Sequence, residues 1–394
     1  GEGSLFADAA RDKLGRLQAE LLPLAERYDV VVANPPYMGS SSLGKWNGKW
    51  IKDNFPEAYR DLCTSFIDRG FSLSNDQGYS AMVTMQSWMF LGSYEKLRGK
   101  LLRNHTISSM AHLGTRAFGA IGGEVVSTTA TVFASKKHDV PGTYLRLVDM
   151  QSEEAKREGA LEALADPDCG WVYCRAALDF ADIPGAPIAY WLPAGSGKAF
   201  LERRCADIFQ SAGRTKTHNN EVYLRKWWEI STAKLGAKWR RYCNGGGFSK
   251  WAGLDYDVVN WSTEAITEYG SHGGLPNMDL CDKSGLCWGL ITSSKTSFRV
   301  KPANYLYSSG SPTLIASNPE ETISAMAFLN SSLCEAYLDA LNPTLNTTVN
   351  DVLALPCPDT DAGVLASARQ CINLVEDDWD SFETSSSFRR HPLL

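Results

Sequence analysis

The chain has 394 residues, 44% of them apolar, and a formal net charge of −6. That apolar share supports two sizeable cores and excludes a disordered or fibrous chain. No run of eighteen apolar residues occurs, and the first residues carry neither a basic nor an apolar leader region, so membrane insertion and secretion are not expected and the cytoplasm is the expected location.

Residues 7–27 read as a helix with leucines at 14, 17, 21 and 24, which Pro23 should kink or end near its last turn. A buried strand over 29–33 follows, then the tetrapeptide Asn34-Pro35-Pro36-Tyr37 and the glycine-containing Met38-Gly39-Ser40. Helical spacing of apolar residues over 57–73 and a strand over 79–85 come next, separated by the turn Asn75-Asp76-Gln77-Gly78. A helix over 93–104 and strands near 106–113 and 125–134 complete a strand–helix–strand–helix–strand–strand order, the last pair reading as a hairpin edge. Residues 140–170 read as a linker, with a charged helical piece ended by Asp166-Pro167-Asp168. Residues 171–360, rich in Trp, Tyr, Gly and Ser, suit an irregular α+β recognition domain, and 361–394 add a helix and the start of a further region.

The tetrapeptide carries the chemistry. Parallel α/β sheets gather reactive groups outside the carboxyl ends of their strands, where Asn34 falls. An exocyclic base amine is a poor nucleophile because its lone pair is delocalised into the ring. Two acceptors held against its N–H bonds return electron density to nitrogen, and Asn34 Oδ1 with the Pro35 carbonyl can be those acceptors. Pro36 lacks an N–H and its fixed φ stiffens the loop, leaving that carbonyl free to point outward. Tyr37 offers a ring face to a base flipped out of a duplex. The motif resembles that of amino-methyltransferases acting on adenine N6 or cytosine N4. Within that resemblance Phe118, between the two late strands, is a second ring for the flipped base; its alternative role is to cover the sheet edge.

A class I methyltransferase binds its cofactor at a glycine loop after a first strand, well upstream of such a tetrapeptide. Only thirty-three residues precede Asn34, and Gly119-x-x-Gly122-Gly123 leads into a strand instead of a helix. The expected class is therefore α/β: residues 1–139 as the back half of a Rossmann-like class I methyltransferase domain, followed by an α+β target-recognition domain. Most of the S-adenosyl-L-methionine site is expected outside this chain. Gly195-Ser196-Gly197-Lys198 lacks the upstream glycine of a P-loop, and neither C-x-x-C pairs nor histidine ligand spacing point to a metal.

Charge distribution points to DNA despite the acidic total. Between Arg214 and Lys250 nine Lys or Arg stand against two Glu, interleaved with Tyr223, Trp227, Trp228, Trp239, Tyr242 and Phe248. Lys238, Arg240, Arg241 and Lys250 are the candidate DNA contacts. Gly245-Gly246-Gly247 permits a close approach to phosphate, or forms a turn.

Lys238-Trp239-Arg240-Arg241-Tyr242-Cys243-Asn244-Gly245-Gly246, Lys250-Trp251, Val258-Val259-Asn260-Trp261, Asn342-Pro343-Thr344-Leu345-Asn346 and the tail Asp378-Trp379-Asp380-Ser381 to Ser385 together resemble the PglX-like adenine-specific methyltransferases of BREX phage-defence systems. Two departures are Asn244, where that family usually has lysine, and Ser249, where it has arginine. The resemblance implies methylation of adenine N6 at a specific site in double-stranded DNA, S-adenosylmethionine as donor, and other BREX proteins as partners. It leaves two alternatives: the methyltransferase part of a type IIG restriction–modification enzyme, or a DNA-specificity module inactive in isolation.

Overall fold

β1 (Tyr28–Ala33) is built by the apolar run ahead of Asn34 and pairs in parallel with β2 (Ser74–Met85), Val30 opposite Tyr79 and Ala33 opposite Met82. The computed structural model describes residues 2–118, 126–292, 295–391 and 393, with side chains from residue 10 onward. α1 (Glu2–Ala25) precedes β1 and runs two residues past Pro23. α2 (Lys45–Asn54) and α3 (Leu62–Leu73) follow it, then β2, α4 (Glu95–Asn104), β3 (Thr106–Gly114) and β4 (Thr128–Ala134). β5 (Gly142–Arg146), α5 (Glu153–Ala165), β6 (Val172–Arg175) and α6 (Leu178–Ala181) complete a first compact unit, Gly1–Gly197.

The six strands form one sheet in the order β1-β2-β4-β3-β5-β6. β1, β2, β3 and β5 run the same way, with β4 and β6 antiparallel to their neighbours. Four expectations need correction. β1 is not a buried strand: as the outer strand it packs only Val31 and Ala33 on the core, and Val30 and Val32 are exposed. Asn75 to Gly78 are not a separate turn but part of β2, which begins at Ser74. The β3–β4 pair is not an edge: β4 lies between β3 and β2 and pairs with both, because its alternate side chains Thr129, Thr131 and Phe133 are apolar or small enough to be buried centrally. Residues 140–170 are not a linker either, since β5 bonds to β3 over four positions and α5 buries Ala163 and the stem of Lys156. The Lys156 ammonium donates to the Leu147 carbonyl at 2.8 Å, so a charged sequence conceals a packed helix. The glycine loop 119–123 lies outside the described residues.

One face of the sheet packs on α3 and α4 through Ile67, Leu97, Leu101, Met82, Met110 and Phe133. Arg98 is almost fully buried there, and its guanidinium donates to the Trp88, Leu91 and Gly185 carbonyls at 2.6 to 3.0 Å. It clamps the turn after β2 to the segment beyond α6. The opposite face, with Val32, Ala81, Val83, Ala111, Ala130, Val132 and Leu145, is an open apolar trough of about 720 Å³. Parallel sheets are normally covered on both faces.

The second unit, Lys198–Leu394, holds two four-stranded sheets. β7 (Phe209–Ser211), β11 (Gly285–Cys287), β12 (Arg299–Lys301) and β14 (Thr313–Ala316) form one, in the order β12-β11-β14-β7. β8 (Leu224–Lys226), β9 (Trp239–Cys243), β10 (Asp257–Asn260) and β13 (Leu306–Tyr307) form the other, in the order β13-β9-β10-β8. Its longest helix, Ala362–Trp379, ends with Trp379 donating to Asp255 at 2.7 Å, so the tail folds back on the segment between β9 and β10.

His112, near the carboxyl end of β3, is buried between Gln86 Oε1 at 2.7 Å and Tyr190 Oη at 2.8 Å. Burial, with Arg146 and Lys156 nearby, pushes its pKa down to about 3. The unfolded chain therefore binds this proton near pH 6.5 while the folded chain resists it, and stability falls as pH drops. The expected slope is about 1.4 kcal/mol per pH unit below 6.5, read from urea midpoints. His112→Gln should flatten it.

Candidate active site and nucleic-acid face

The carboxyl ends of β1, β2, β3 and β5 share one end of the sheet and launch four segments: 34–44, 86–94, 115–118 and 147–152. In the first, Asn34 is exposed, Pro35 is buried and Tyr37 is half-buried. Tyr37 Oη donates to Asn34 Oδ1 at 3.3 Å. A carbonyl oxygen has two lone pairs, so Oδ1 keeps one for a further N–H. Among the described residues no donor reaches the Pro35 carbonyl.

Asp61 fixes this loop. It caps α3 by accepting from the Cys63 amide at 2.9 Å, and the same Oδ1 accepts from the Met38 amide at 3.2 Å. Two backbone bonds frame it: Leu62 N to Met38 O and Ser40 N to Arg60 O, each 2.9 Å. The tetrapeptide is thus sewn to the start of α3 one residue past Tyr37. Burial, then Cys63 and Asp61, raise the Tyr37 phenol above its ordinary pKa, and burial with the same neighbours pushes Tyr94 up to about 12. Tyr37 is a neutral hydroxyl at physiological pH, which keeps it a donor to Asn34. Asp61 escaped the sequence reading; its only local signal is an aspartate immediately before a helix.

Phe118 is half-buried after β3. Gly114 takes a φ of 65°, and Arg116 donates to Gln151 at 2.8 Å, tying this loop to the one after β5. Two strands separate β1 from β3, roughly 14 Å at sheet level. A ring sandwich with Tyr37 therefore requires the loop carrying Phe118 to lean across the sheet end.

In the second unit the four candidate cations part company. Lys238 is exposed. Arg240 is mostly buried, ion-paired with Asp282, and donates to the Asn304 carbonyl at 3.0 Å beside the Trp261 ring. That makes it an internal strut instead of the free phosphate contact expected from charge counting. Arg241 lies over the Trp227 ring at 5.9 Å, and its Nη1 is buried without a partner. Lys250 donates to the Asn330 carbonyl at 2.8 Å and lines a cavity of about 470 Å³ with Lys295, Glu335, Asn342 and Thr344. Of the aromatics, Trp228 and Phe248 are exposed, whereas Tyr242 is core. Gly245, Gly246 and Gly247 all have positive φ, and a Cβ on Gly245 would meet the Gly310 carbonyl at 2.1 Å, so the first glycine serves an internal backbone crossing.

A parallel-rich sheet with N-P-P-Y at a strand's carboxyl end is the architecture of an α/β methyltransferase, and comparison of folds agrees. The Type IIL restriction–modification enzyme MmeI, solved in complex with DNA, superposes with a TM-score of 0.56 at 12% identity, covering 91% of this chain and 50% of MmeI. Residues 10–118 match the Eco57I restriction-modification methylase family. The chain resembles the PglX and BrxX adenine-specific methyltransferases over nearly its whole length. It is 35% identical over 395 residues to the adenine-specific methyltransferase BrxX of Escherichia coli O9:H4 (strain HS), covering 95% of this chain and 32% of BrxX. It is 34% identical over 398 residues to the adenine-specific methyltransferase PglX of Lacticaseibacillus casei (strain Zhang), covering 94% and 33%. The chain thus spans about a third of the length of these curated relatives.

Asp61→Ala should release the Met38 and Cys63 amides together and cost about 1–3 kcal/mol. Hydrogen exchange at the Met38 amide should speed up more than at the amides of β2; equal protection would show that the backbone bonds hold the loop alone.

Proposed function

We propose that this chain takes part in site-specific methylation of adenine N6 in DNA, within a BREX-type defence against phage. The observation that carries the reading is the N-P-P-Y loop, held by Asp61 at the carboxyl end of β1 with the Asn34 oxygen and the Pro35 carbonyl available. The sequence similarity to proteins named adenine-specific methyltransferases selects adenine over cytosine.

In this reading Asn34 Oδ1 and Pro35 O accept the two N–H bonds of the adenine amine. They draw its lone pair out of the ring and turn it toward the methyl donor. Tyr37 stacks on the flipped base while its hydroxyl orients Asn34, and Phe118 closes the other face. Lys238 and Arg241 engage phosphates, with Lys250 at the rim of the polar cavity. The donor implied by the resemblance is S-adenosyl-L-methionine. Its pocket calls for a glycine-rich strand-to-helix turn. Among the described residues no strand of the first sheet is followed by such a turn, so these residues do not build that pocket. The open apolar face and the outer edge of β1 are where a cofactor-binding half would pack. Partner BREX proteins and a cytoplasmic location complete the proposal; no helix among the described residues is long and apolar enough to cross a membrane.

A second reading, the modification part of a restriction–modification enzyme, draws on the Eco57I family match. Cleavage of unmethylated DNA by the full-length protein would favour it.

The test is single-molecule methylation sequencing of DNA from a methylation-free host expressing the full-length protein with its partner genes. N6-methyladenine is expected on one strand of a defined motif, reduced by about 10²–10³-fold in Asn34→Ala with DNA binding retained. Methylation that survives Asn34→Ala would refute the amine-activation mechanism. On the recognition side, Lys238→Ala should lower the salt slope of binding by about 1, whereas Arg240→Ala should lower the melting temperature first.

A further inference from the structure

We infer that α2, with the excursion of residues 40–60 that carries it, is a second DNA-contacting surface beside the N-P-P-Y loop. On it Lys45 and Lys52 meet phosphates while Trp46 and Trp50 stack on bases unstacked as the target leaves the helix. The inference rests on the methyltransferase reading and adds a surface to it.

The excursion is rooted at the catalytic loop. It leaves three residues after Tyr37, and its stem is closed by the Gly39–Asp61 bridge and the two backbone bonds around it. Wherever Tyr37 meets a base, α2 stands next to it. Leu43 and Ile51 fasten the helix inward, both buried. Trp46 and Trp50 are one helical turn apart and share a side. They are 75% and 48% exposed, an unusual outlay of indole surface unless something covers it. Trp50 packs edge-on to Phe55, and together with Trp46, Phe66 and Arg69 they line an open hollow of about 490 Å³ between α2 and α3.

Charge selects the occupant. Residues 40–60 carry four cations (Lys45, Lys49, Lys52, Arg60) against Asp53 and Glu57, in a chain whose total is −6. Lys45, Lys49 and Lys52 are all exposed at helical spacing beside the tryptophans, and Lys49 is ion-paired with Asp53 one turn on. Lys52 and Arg60 flank the Tyr59 ring at 5.5 and 4.8 Å. Lysines interleaved with exposed rings suit a polyanion carrying flat apolar groups, which is an unstacked nucleic-acid strand; an apolar polypeptide would leave the lysines unused.

The probe is a duplex oligonucleotide bearing the motif found by methylation sequencing, with 5-iodouracil beside the target adenine, bound to the full-length protein. Photo-crosslinks are expected within residues 45–54. Trp46→Ala with Trp50→Ala should weaken binding roughly tenfold per ring, Trp46→Phe with Trp50→Phe should restore most of it, and Lys45→Ala with Lys52→Ala should lower the salt slope by about 2. Crosslinks confined to the second unit, with all variants binding within twofold of wild type, would overturn the inference. Purified variants that bind and methylate normally but lose methylation in cells would hand the surface to a protein partner, also overturning it. A wild type that binds no DNA would refute the methyltransferase reading itself, whereas a wild type that methylates beside unaffected variants would refute only the role of α2.

Discussion

The rest of the candidate site depends on one buried carboxylate. Asp61 accepts from the Cys63 amide to begin α3 and from the Met38 amide to hold the loop after β1. A Pro-Pro loop can offer only limited backbone donors of its own. Its position must therefore be set from outside, and a capping residue with a spare lone pair does this without drawing on the Asn34 oxygen or the Pro35 carbonyl. Asn34 and Pro35 stay available because the neighbouring residue, not they, makes the anchoring bond.

The two units divide the work by different physics. The first places polar groups at the ends of parallel strands, where the sheet's core on α3 and α4 makes the strand ends rigid. The second spreads charge over short strands and long connections, and much of that charge is internal. Arg240 with Asp282, Lys226 with Asp257 and Lys301 with the Cys281 and Lys283 carbonyls are struts of the unit itself.

Local signals were legible in the sequence and tertiary ones were not. The apolar run before Asn34 marks β1 and the run 79–85 marks most of β2, but Asn75 to Gly78, which read as a turn, belong to β2 and fall within a break in its register with β1. β5 has five residues and α5 has a weak apolar stripe, so the stretch holding them reads as a linker until β3 is there to pair with β5. α2 went unread because Trp46 and Trp50 point outward and leave no buried periodicity. Arg240 shows the limit of counting charges: the residue type gives the cation, but only the fold supplies Asp282. The tetrapeptide's place at the end of β1 needed only adjacent residues and was plain; its anchor at Asp61, far along the chain, was not.

Closing the excursion at its root has a further effect. Once residues 38–40 and 60–62 are bonded, the ends of the intervening segment are already together, and doubling its length would cost only about 0.6 kcal/mol more in closure entropy. A change in the length of the segment thus adds little closure cost to the stem that holds the loop of Asn34. The stem separates a part of the chain whose length is energetically cheap to change from one whose geometry is fixed by hydrogen bonds.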